Sequence, residues 1–211
     1  NFYADGSQNG GFEVGVRKAL EAVLASPRFV FRLEWEPGNK DPGETYRLSD
    51  LDLASRLSFF LWGTPPDAEL LEIAAEEELS GKELENQAKR MLADRRSEAL
   101  GTRFAGLWLR LQDLYKIRPD PNFYPNFDEN LADAMKRETE LFFHNLVHED
   151  KSFLELFSAD YTFVNERLAR HYGIPGVSGN HFRRVDYLDD KRRGLLGHGS
   201  VLVLTSLANR T

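Results

Sequence analysis

The sequence predicts an all-α or helix-dominated fold, a multi-helix orthogonal bundle with one small β-hairpin. Apolar residues recur every three or four positions along most of the chain, which is the spacing of a helix that buries one face. Capping residues, glycine and proline divide these stretches into segments of helical length. With 211 residues, 41% of them hydrophobic, the chain is long enough to bury one sizeable core.

The first predicted elements are a helix and a hairpin. Apolar residues at helical spacing predict an amphipathic helix over residues 11–25, which Pro27 ends. Apolar and charged residues then alternate from Phe29 to Trp35, which predicts a strand, with a continued helix as the alternative. Tyr46–Leu48 is predicted to pair with this strand across a loop rich in proline and glycine.

A capping pattern predicts the next helix. Ser49 followed by an acidic residue at Asp52 resembles a capping box, and apolar residues then predict a helix over about 50–62. Two shorter helices are predicted over about 66–74 and 80–92, since proline is tolerated in the first turn of a helix.

The middle of the chain carries two long predicted helices. The first, over 97–114, is expected to be largely interior. The loop 119–126 follows, because three prolines within it disfavour helix. Asp128 is then a predicted N-cap for the second helix, over 129–148. The apolar side chains expected to be buried by the first helix are Leu100, Phe104, Leu107, Trp108 and Leu111.

The last quarter is predicted to be helical with one strand. Short helices are expected at 152–157 and 165–172, the second of them ended by Gly173 in the left-handed conformation. His181–Tyr187 is predicted as a short strand, and Arg193–Ser206 as a final apolar helix.

Composition excludes several classes of function for these residues. A net charge of −7 argues against a general nucleic-acid binder, which needs a basic face. The chain has no cysteine, so thiolate metal sites and covalent haem attachment are excluded within it. No apolar run approaches the length of a transmembrane helix, so we expect no membrane span in this segment. We expect no cofactor within this chain.

A metal site is predicted on the helix over 129–148. Glu140, His144 and His148 are spaced four residues apart, so their side chains project from one helix face. Two histidines one turn apart can chelate a divalent ion through their imidazole nitrogens. The alternative is an exposed polar helix face, because no further ligand is evident.

A catalytic site is predicted around His171. Asp160, Glu166 and His171 belong to the densest polar cluster of the sequence. The two carboxylates are candidates to tune the imidazole for acid or base catalysis. The alternative is structural, because polar side chains at the start of a helix also cap backbone donors and pair locally.

Two further groups of residues have predicted roles. The small residues around His198 are expected to let the last helix pack closely, with His198 and Thr205 hydrogen-bonded either inside the domain or to a segment that follows it. Phe123 and Tyr124, on the proline-rich loop, are candidates for stacking on a sugar or on another domain.

Several long motifs occur in order along nearly the whole chain: Ala22–Arg32, Tyr46–Asp50, Ala54–Trp62, Glu138–Phe143, Ala159–Pro175 and Gly194–Thr211. Together they resemble the planctomycete cytochrome-associated domains of unknown function. The resemblance implies that residues 1–35 are the end of a preceding family domain packed on the core. It implies that residues 36–179 are the central helical domain and that residues 180–211 are the truncated start of a following family domain.

The resemblance also implies a setting for the chain. Such proteins are large and exported, which implies a periplasmic or cell-surface location, and a c-type cytochrome module in the parent would carry haem outside this chain. The expected partners are neighbouring domains of the same parent protein or its cleaved remainder, and carbohydrate. The resemblance therefore favours a helical scaffold or interaction domain. The alternative is an enzyme domain acting on polysaccharide, or in redox chemistry together with a neighbouring cytochrome module.

Overall fold

Helices make up most of the structure, which confirms the predicted helix-dominated fold. The computed structural model describes residues 1–31, 34, 41, 43–76 and 78–206. The chain divides into two units, Asn1–Leu48 and Ser49–Thr211. The predicted family boundaries after residues 35 and 179 stay a prediction.

The first unit is built on helix α1, Phe2–Leu24, which reverses direction at a pair of glycines. Gly11 has a φ of +76°, a conformation that favours glycine because it carries no Cβ. The two halves of α1 then approach closely, since a Cβ added to Gly6 would lie 2.7 Å from the carbonyl oxygen of Val14. The predicted helix over 11–25 corresponds to the second half of α1.

The predicted hairpin of the first unit is wrong. Pro27–Val30 form the helical turn α2, in which the N–H groups of Phe29 and Val30 both donate to the carbonyl of Ser26. Proline at the first helical position favours this turn over a strand. No strand is present at residues 44–48. The rest of the predicted first strand lies outside the described residues, apart from Phe31 and Glu34.

The second unit begins with three helices around an apolar core. Helix α3, Asp50–Leu61, starts at Ser49, whose hydroxyl accepts the N–H of Asp52 as the capping pattern predicts. Helices α4, Ala68–Ala75, and α5, Gly81–Ala93, follow. The core residues of this region include Ala54, Leu61, Leu70, Ala74, Leu79 and Met91.

The predicted interior helix over 97–114 is wrong, because this segment changes its helical type three times. It consists of a 3₁₀ turn, a π-helical turn, the α-helical turn α6 and a second 3₁₀ segment. Their bounds are Arg95–Ser97, Leu100–Ala105, Gly106–Trp108 and Leu111–Lys116.

These changes of helical type expose side chains that were predicted to be buried. A π-helical turn holds an extra residue, so positions spaced for an α-helix no longer share one face. Arg110 then adopts a left-handed φ of +56°, which breaks the helical path again. As a result Phe104, Leu107 and Trp108 are 42%, 69% and 53% exposed, whereas Leu100 and Leu111 are buried.

Helix α7, Glu129–His148, is the central element of the second unit. Its N-cap is Asp128, which accepts the N–H of Leu131 as predicted. Helix α7 contacts α5, the π-helical turn and most of the elements that follow it in the chain. Its side chains contribute to both apolar cores of the unit.

The sheet lies after α7. Helix α8, Glu155–Ser158, precedes strand β1, Tyr161–Val164, which pairs antiparallel with strand β2, Arg183–Asp186. The prediction of a strand within 181–187 is therefore confirmed. Its partner strand was not predicted, because β1 is short and lies where the sequence carries no clear period-two pattern.

Two helical segments complete the unit. Helix α9, Glu166–Tyr172, ends at Gly173 with a φ of +73°, as predicted. The final helix is shorter than predicted: 3₁₀ turns at Asp190–Arg192 and Leu195–Gly197 precede helix α10, Gly199–Thr205. In the described part of the chain, no helix combines the length and the apolar character that a membrane span requires.

The contact between the π-helical turn and α7 depends on Gly101. A Cβ at this position would lie 2.6 Å from the carbonyl oxygen of Glu140, whereas a Cβ at Gly106 would meet nothing closer than 4.0 Å. We expect Gly101→Ala to lower the free energy of unfolding by about 2 kcal/mol, because α7 must move. Gly106→Ala, the matched control, is expected to be neutral or stabilising by about 0.5 kcal/mol. Urea denaturation of both variants measures this difference, and equal effects would contradict it.

Candidate functional site

The polar centre of the second unit is the fully buried carboxyl of Glu138 on α7. Its Oε1 accepts a hydrogen bond of 2.6 Å from the hydroxyl of Thr162 on β1. Its Oε2 accepts one of 2.6 Å from the hydroxyl of Tyr172 on α9. The Tyr172 hydroxyl in turn accepts the N–H of Gly199, 2.7 Å away at the start of α10. One carboxyl group therefore links α7, β1, α9 and α10.

A second set of hydrogen bonds lies beside it, centred on Thr139. The Thr139 hydroxyl is 3.0 Å from Nδ1 of His198 and 2.7 Å from the hydroxyl of Ser200, and all three residues are fully buried. The His198 ring also packs edge-on against Phe142, with centroids 4.8 Å apart. The prediction that His198 is hydrogen-bonded inside the domain is therefore confirmed. We call the two sets together the Glu138 network.

Burial sets the protonation of the Glu138 network. Removal from water raises the pKa of Glu138 to about 7. The hydrogen bonds from Thr162 and Tyr172 and the positive charge of Arg192 lower this pKa, but burial has the larger effect. Burial, and then the charge of Arg192, lower the pKa of His198 to about 3. His198 is therefore neutral at neutral pH, while Glu138 can hold or release its proton near pH 7.

Two buried polar atoms of this region lack a hydrogen-bond partner among the described residues, Nε2 of His198 and the hydroxyl of Tyr187. The guanidinium of Arg192 lies over the ring of Tyr172, 4.3 Å from the ring centroid. Glu138, Thr139 and His198 are all closed off from solvent. The geometry of the network is therefore that of buried hydrogen bonds that hold the elements of the domain together.

His171, the predicted catalytic histidine, lies elsewhere, at the surface end of α9. It lines a cavity of about 810 Å³ between the loop 117–127 and helices α7, α9 and α10, which we call the proline-loop groove. Partial burial, and then the charges of Arg192 and Arg167, lower the pKa of His171. Its imidazole is therefore held in the neutral form more strongly than in water.

The other two predicted catalytic residues make separate contacts. Glu166 accepts the N–H of Gly179 at 2.8 Å and pairs with Arg170 at 2.6 Å. Asp160 is exposed, and its backbone carbonyl accepts the N–H of Tyr187. No hydrogen bond or ion pair described in the structure joins any two of Asp160, Glu166 and His171. The catalytic hypothesis stays a prediction, with His171 alone placed in a cavity.

The predicted metal ligands lie along one face of α7, as their spacing requires. Glu140 is buried, and its carboxylate lies 3.1 Å from Arg137 and 3.9 Å from Lys136. The rings of His144 and His148 are 5.4 Å apart between centroids. Within the part of the chain that the structure describes, no group of three or more histidine and carboxylate side chains is arranged to hold a metal ion. The metal site stays a prediction.

The sequence analysis missed Glu138, although the sequence contains a signal for it. Leu131, Met135, Phe142 and Leu146 form the buried stripe of α7, and Glu138 falls at helical spacing within it. A charged residue at a position that faces the core indicates a buried carboxyl that needs hydrogen-bond donors. The donors themselves come from other elements, so no local pattern identifies them.

The fold and the Glu138 network define a helix-dominated domain with a hydrogen-bonded polar centre. A family model for PSD4, described as a protein of unknown function (DUF1592), matches residues 48–174. The match covers more than half of the chain, so the chain belongs to this family. Neither the curated proteins nor the solved structures contain a match to the chain.

The hydroxyl of Tyr172 has two buried partners, which makes its removal costly. Tyr172→Phe leaves Oε2 of Glu138 and the N–H of Gly199 without this partner. We expect a loss of about 3 kcal/mol in the free energy of unfolding. Tyr115→Phe is the matched control, because the Tyr115 hydroxyl donates to the exposed side chain of Asp133 at the surface. This variant is expected to cost less than about 1 kcal/mol. Equal losses in urea denaturation would contradict this role of Tyr172.

The raised pKa of Glu138 predicts a specific pH dependence of stability. Between the ordinary glutamate pKa of 4.5 and the folded-state value of about 7, the unfolded chain loses a proton that the folded chain keeps. The free energy of unfolding therefore falls as the pH rises through this window. Glu138→Gln removes the titration.

We expect the difference in unfolding free energy, wild type minus Glu138→Gln, to decrease as the pH rises from about 5 to 7 and then to level. Because other titrating groups are present in both proteins, the difference isolates Glu138. Urea denaturation at a series of pH values provides the measurement. A difference that is constant with pH, or that increases, would show that Glu138 does not carry a raised pKa.

Proposed function

We propose that this chain is a helical scaffold or interaction domain of a large exported, cytochrome-linked protein of the planctomycete type. The resemblance of its motifs supports this setting, with a periplasmic or cell-surface location and with haem in another domain of the parent. Its partners in this proposal are neighbouring domains of the parent protein or the cleaved remainder of it.

The observation that carries the scaffold role is the burial of the Glu138 network. Both oxygens of Glu138 accept hydrogen bonds from side chains of the same unit, and the residue is 0% exposed. A group in this position cannot contact a substrate, and hydrogen bonds of this kind fix the relative position of helices. The burial of the Glu138 network therefore supports a structural role for these residues.

The surface of the second unit supports a binding role. Phe60, Phe104, Leu107 and Trp108 form an exposed patch that we call the aromatic face, and each of them is at least 42% exposed. Ring centroids within it are 5.7 Å apart for Phe60 and Phe104 and 6.1 Å for Phe104 and Trp108. Contiguous exposed aromatic side chains are typical of surfaces that contact another protein.

The second candidate function is an enzyme domain that acts on polysaccharide, or in redox chemistry together with a neighbouring c-type cytochrome. One observation favours it: His171 lines the proline-loop groove and has a lowered pKa. A neutral imidazole in a cavity is a suitable general base. Against this, no carboxylate described in the structure orients the His171 ring.

Binding between this chain and separately produced segments of its parent protein tests the scaffold role. We expect at least one segment to bind, and Leu107→Glu in the aromatic face to weaken binding at least tenfold, because a charge must then be desolvated. Leu188→Glu is the matched control, since Leu188 is also exposed and lies outside this face. Isothermal titration calorimetry measures both affinities.

Two outcomes would contradict the scaffold role. One is that no parent segment binds, or that the two glutamate variants weaken binding equally. The other is turnover of a polysaccharide by the chain that is lost in His171→Gln and kept in His148→Gln. Circular dichroism confirms in each case that the variant is folded.

A further inference from the structure

The proline-loop groove has the size and the lining of a small-molecule site. Its volume of about 810 Å³ falls within the range of about 300–1,000 Å³ that is typical of ligand pockets. Met135 of α7 and Leu202 and Val203 of α10 form one side. Phe123 and Phe127 of the loop form the other. Most of its surface is therefore apolar.

The loop that forms this wall is held in place by its own hydrogen bonds. The carbonyl of Asp120 accepts the N–H groups of Phe123 and Tyr124 at 3.0 and 2.9 Å, and the carbonyl of Tyr124 accepts the N–H of Phe127 at 3.1 Å. Three prolines restrict the remaining backbone. A cavity with fixed walls binds a ligand without a further loss of loop entropy.

The loop is also fastened to the body of the unit. Arg167 on α9 donates to the backbone carbonyl of Asn126 and to the carboxylate of Asp128, 3.1 Å away. These contacts join the far end of the loop to α9 and to the start of α7. The groove is therefore preformed between rigid elements.

The charged groups that line the groove are mostly cationic. Lys116 and Arg118 are its cations, the neutral imidazole of His171 lines it as well, and Asp120 is the lone carboxylate among its described lining residues. Asp120 already accepts both the N–H and the side-chain amide of Asn122 at 2.9 Å. Lys116 pairs with Asp113 at 2.7 Å.

Arg118 is the cation with unused donors. Its Nη1 donates to the backbone carbonyls of Tyr115 and Ile117 at 2.7 and 3.3 Å, and no carboxylate within the described part of the chain pairs with it. A guanidinium that meets only carbonyl oxygens keeps its charge and further N–H groups for an anion. His171, with no hydrogen-bond partner among the described residues, is a second donor on the same cavity.

We propose that the proline-loop groove binds a small amphipathic carboxylate, with its apolar part against Phe123, Phe127 and Leu202 and its anionic group at Arg118 and His171. Charge complementarity selects this ligand class, because an apolar cavity with an unpaired arginine favours an anionic head over a neutral one. A neutral sugar would leave its hydroxyl groups against apolar walls without partners. This site is independent of the scaffold role proposed above.

Binding of dodecanoate, used below its micelle concentration, tests the site. We expect dodecanoate to bind at least tenfold more tightly than hexanoate, because it buries more methylene groups. We expect it to bind at least tenfold more tightly than dodecanol, which has the same chain without the charge. Isothermal titration calorimetry at low and high salt measures these affinities, and the preference for the carboxylate is expected to fall with added salt.

Two matched arginine variants locate the anionic group. Arg118→Gln is expected to weaken dodecanoate binding about tenfold and to leave dodecanol binding unchanged. Arg193→Gln is the control, since Arg193 pairs with Asp190 and does not line the groove. The His171 ring resonances are expected to shift on titration of dodecanoate, whereas those of His148 stay fixed.

Several results would overturn the proposal. The first is that dodecanoate does not bind, and the second is that dodecanoate and dodecanol bind with equal affinity. The third is that the two arginine variants have equal effects. The fourth is that the chain dimerises in place of binding the ligand, which light scattering detects. Circular dichroism shows whether each variant is folded. If Arg118→Gln fails to fold, Leu202→Glu in the apolar wall replaces it and is expected to abolish dodecanoate binding by repulsion.

Discussion

The burial of the Glu138 carboxyl in the middle of helix α7 is the constraint on which the packing of the second unit depends. A carboxyl removed from water is unstable unless donors surround it. The donors are Thr162 on β1 and Tyr172 on α9, and Tyr172 is itself fixed by the N–H of Gly199. The hydrogen bonds that the Glu138 carboxyl requires therefore determine where β1, α9 and α10 pack against α7.

The same constraint joins the family region to the chain that follows it. The PSD4 match ends at residue 174, yet Tyr172 completes its hydrogen bonds with Gly199, and β1 pairs with Arg183–Asp186. His198 also lies beyond residue 174, as does Arg192, whose charge lowers the pKa of both Glu138 and His198. Residues 183–199 therefore contribute to the same core as the matched region, because its polar groups and its strand edge require them.

The buried polar residues of this domain lie apart from its accessible apolar surfaces. Glu138, Thr139 and His198 of the Glu138 network are closed off from solvent, whereas the aromatic face and the proline-loop groove are open. Both surfaces arise where the chain departs from regular helix, at the π-helical turn and at the proline-rich loop. Where the backbone is irregular, apolar side chains point outward, whereas a continuous helix would bury them. A buried polar centre with exposed apolar surfaces is consistent with the proposed interaction domain.

The sequence by itself determined the elements that local signals specify. The N-caps Ser49 and Asp128 and the left-handed Gly173 are contacts between near neighbours, so helices α3, α7 and α9 follow from them. Only the tertiary structure decided the partner of strand 183–186, the breaks within 97–114 and the donors to Glu138. The strand pairing joins residues 19 to 25 positions apart. The polar contacts of α7 join residues 24 to 61 positions apart, such as Thr162 with Glu138 and Ser200 with Thr139, and no local period records such pairs. Local hydrogen bonds follow from neighbouring residues in the sequence, whereas the partners of a buried carboxyl depend on the whole fold.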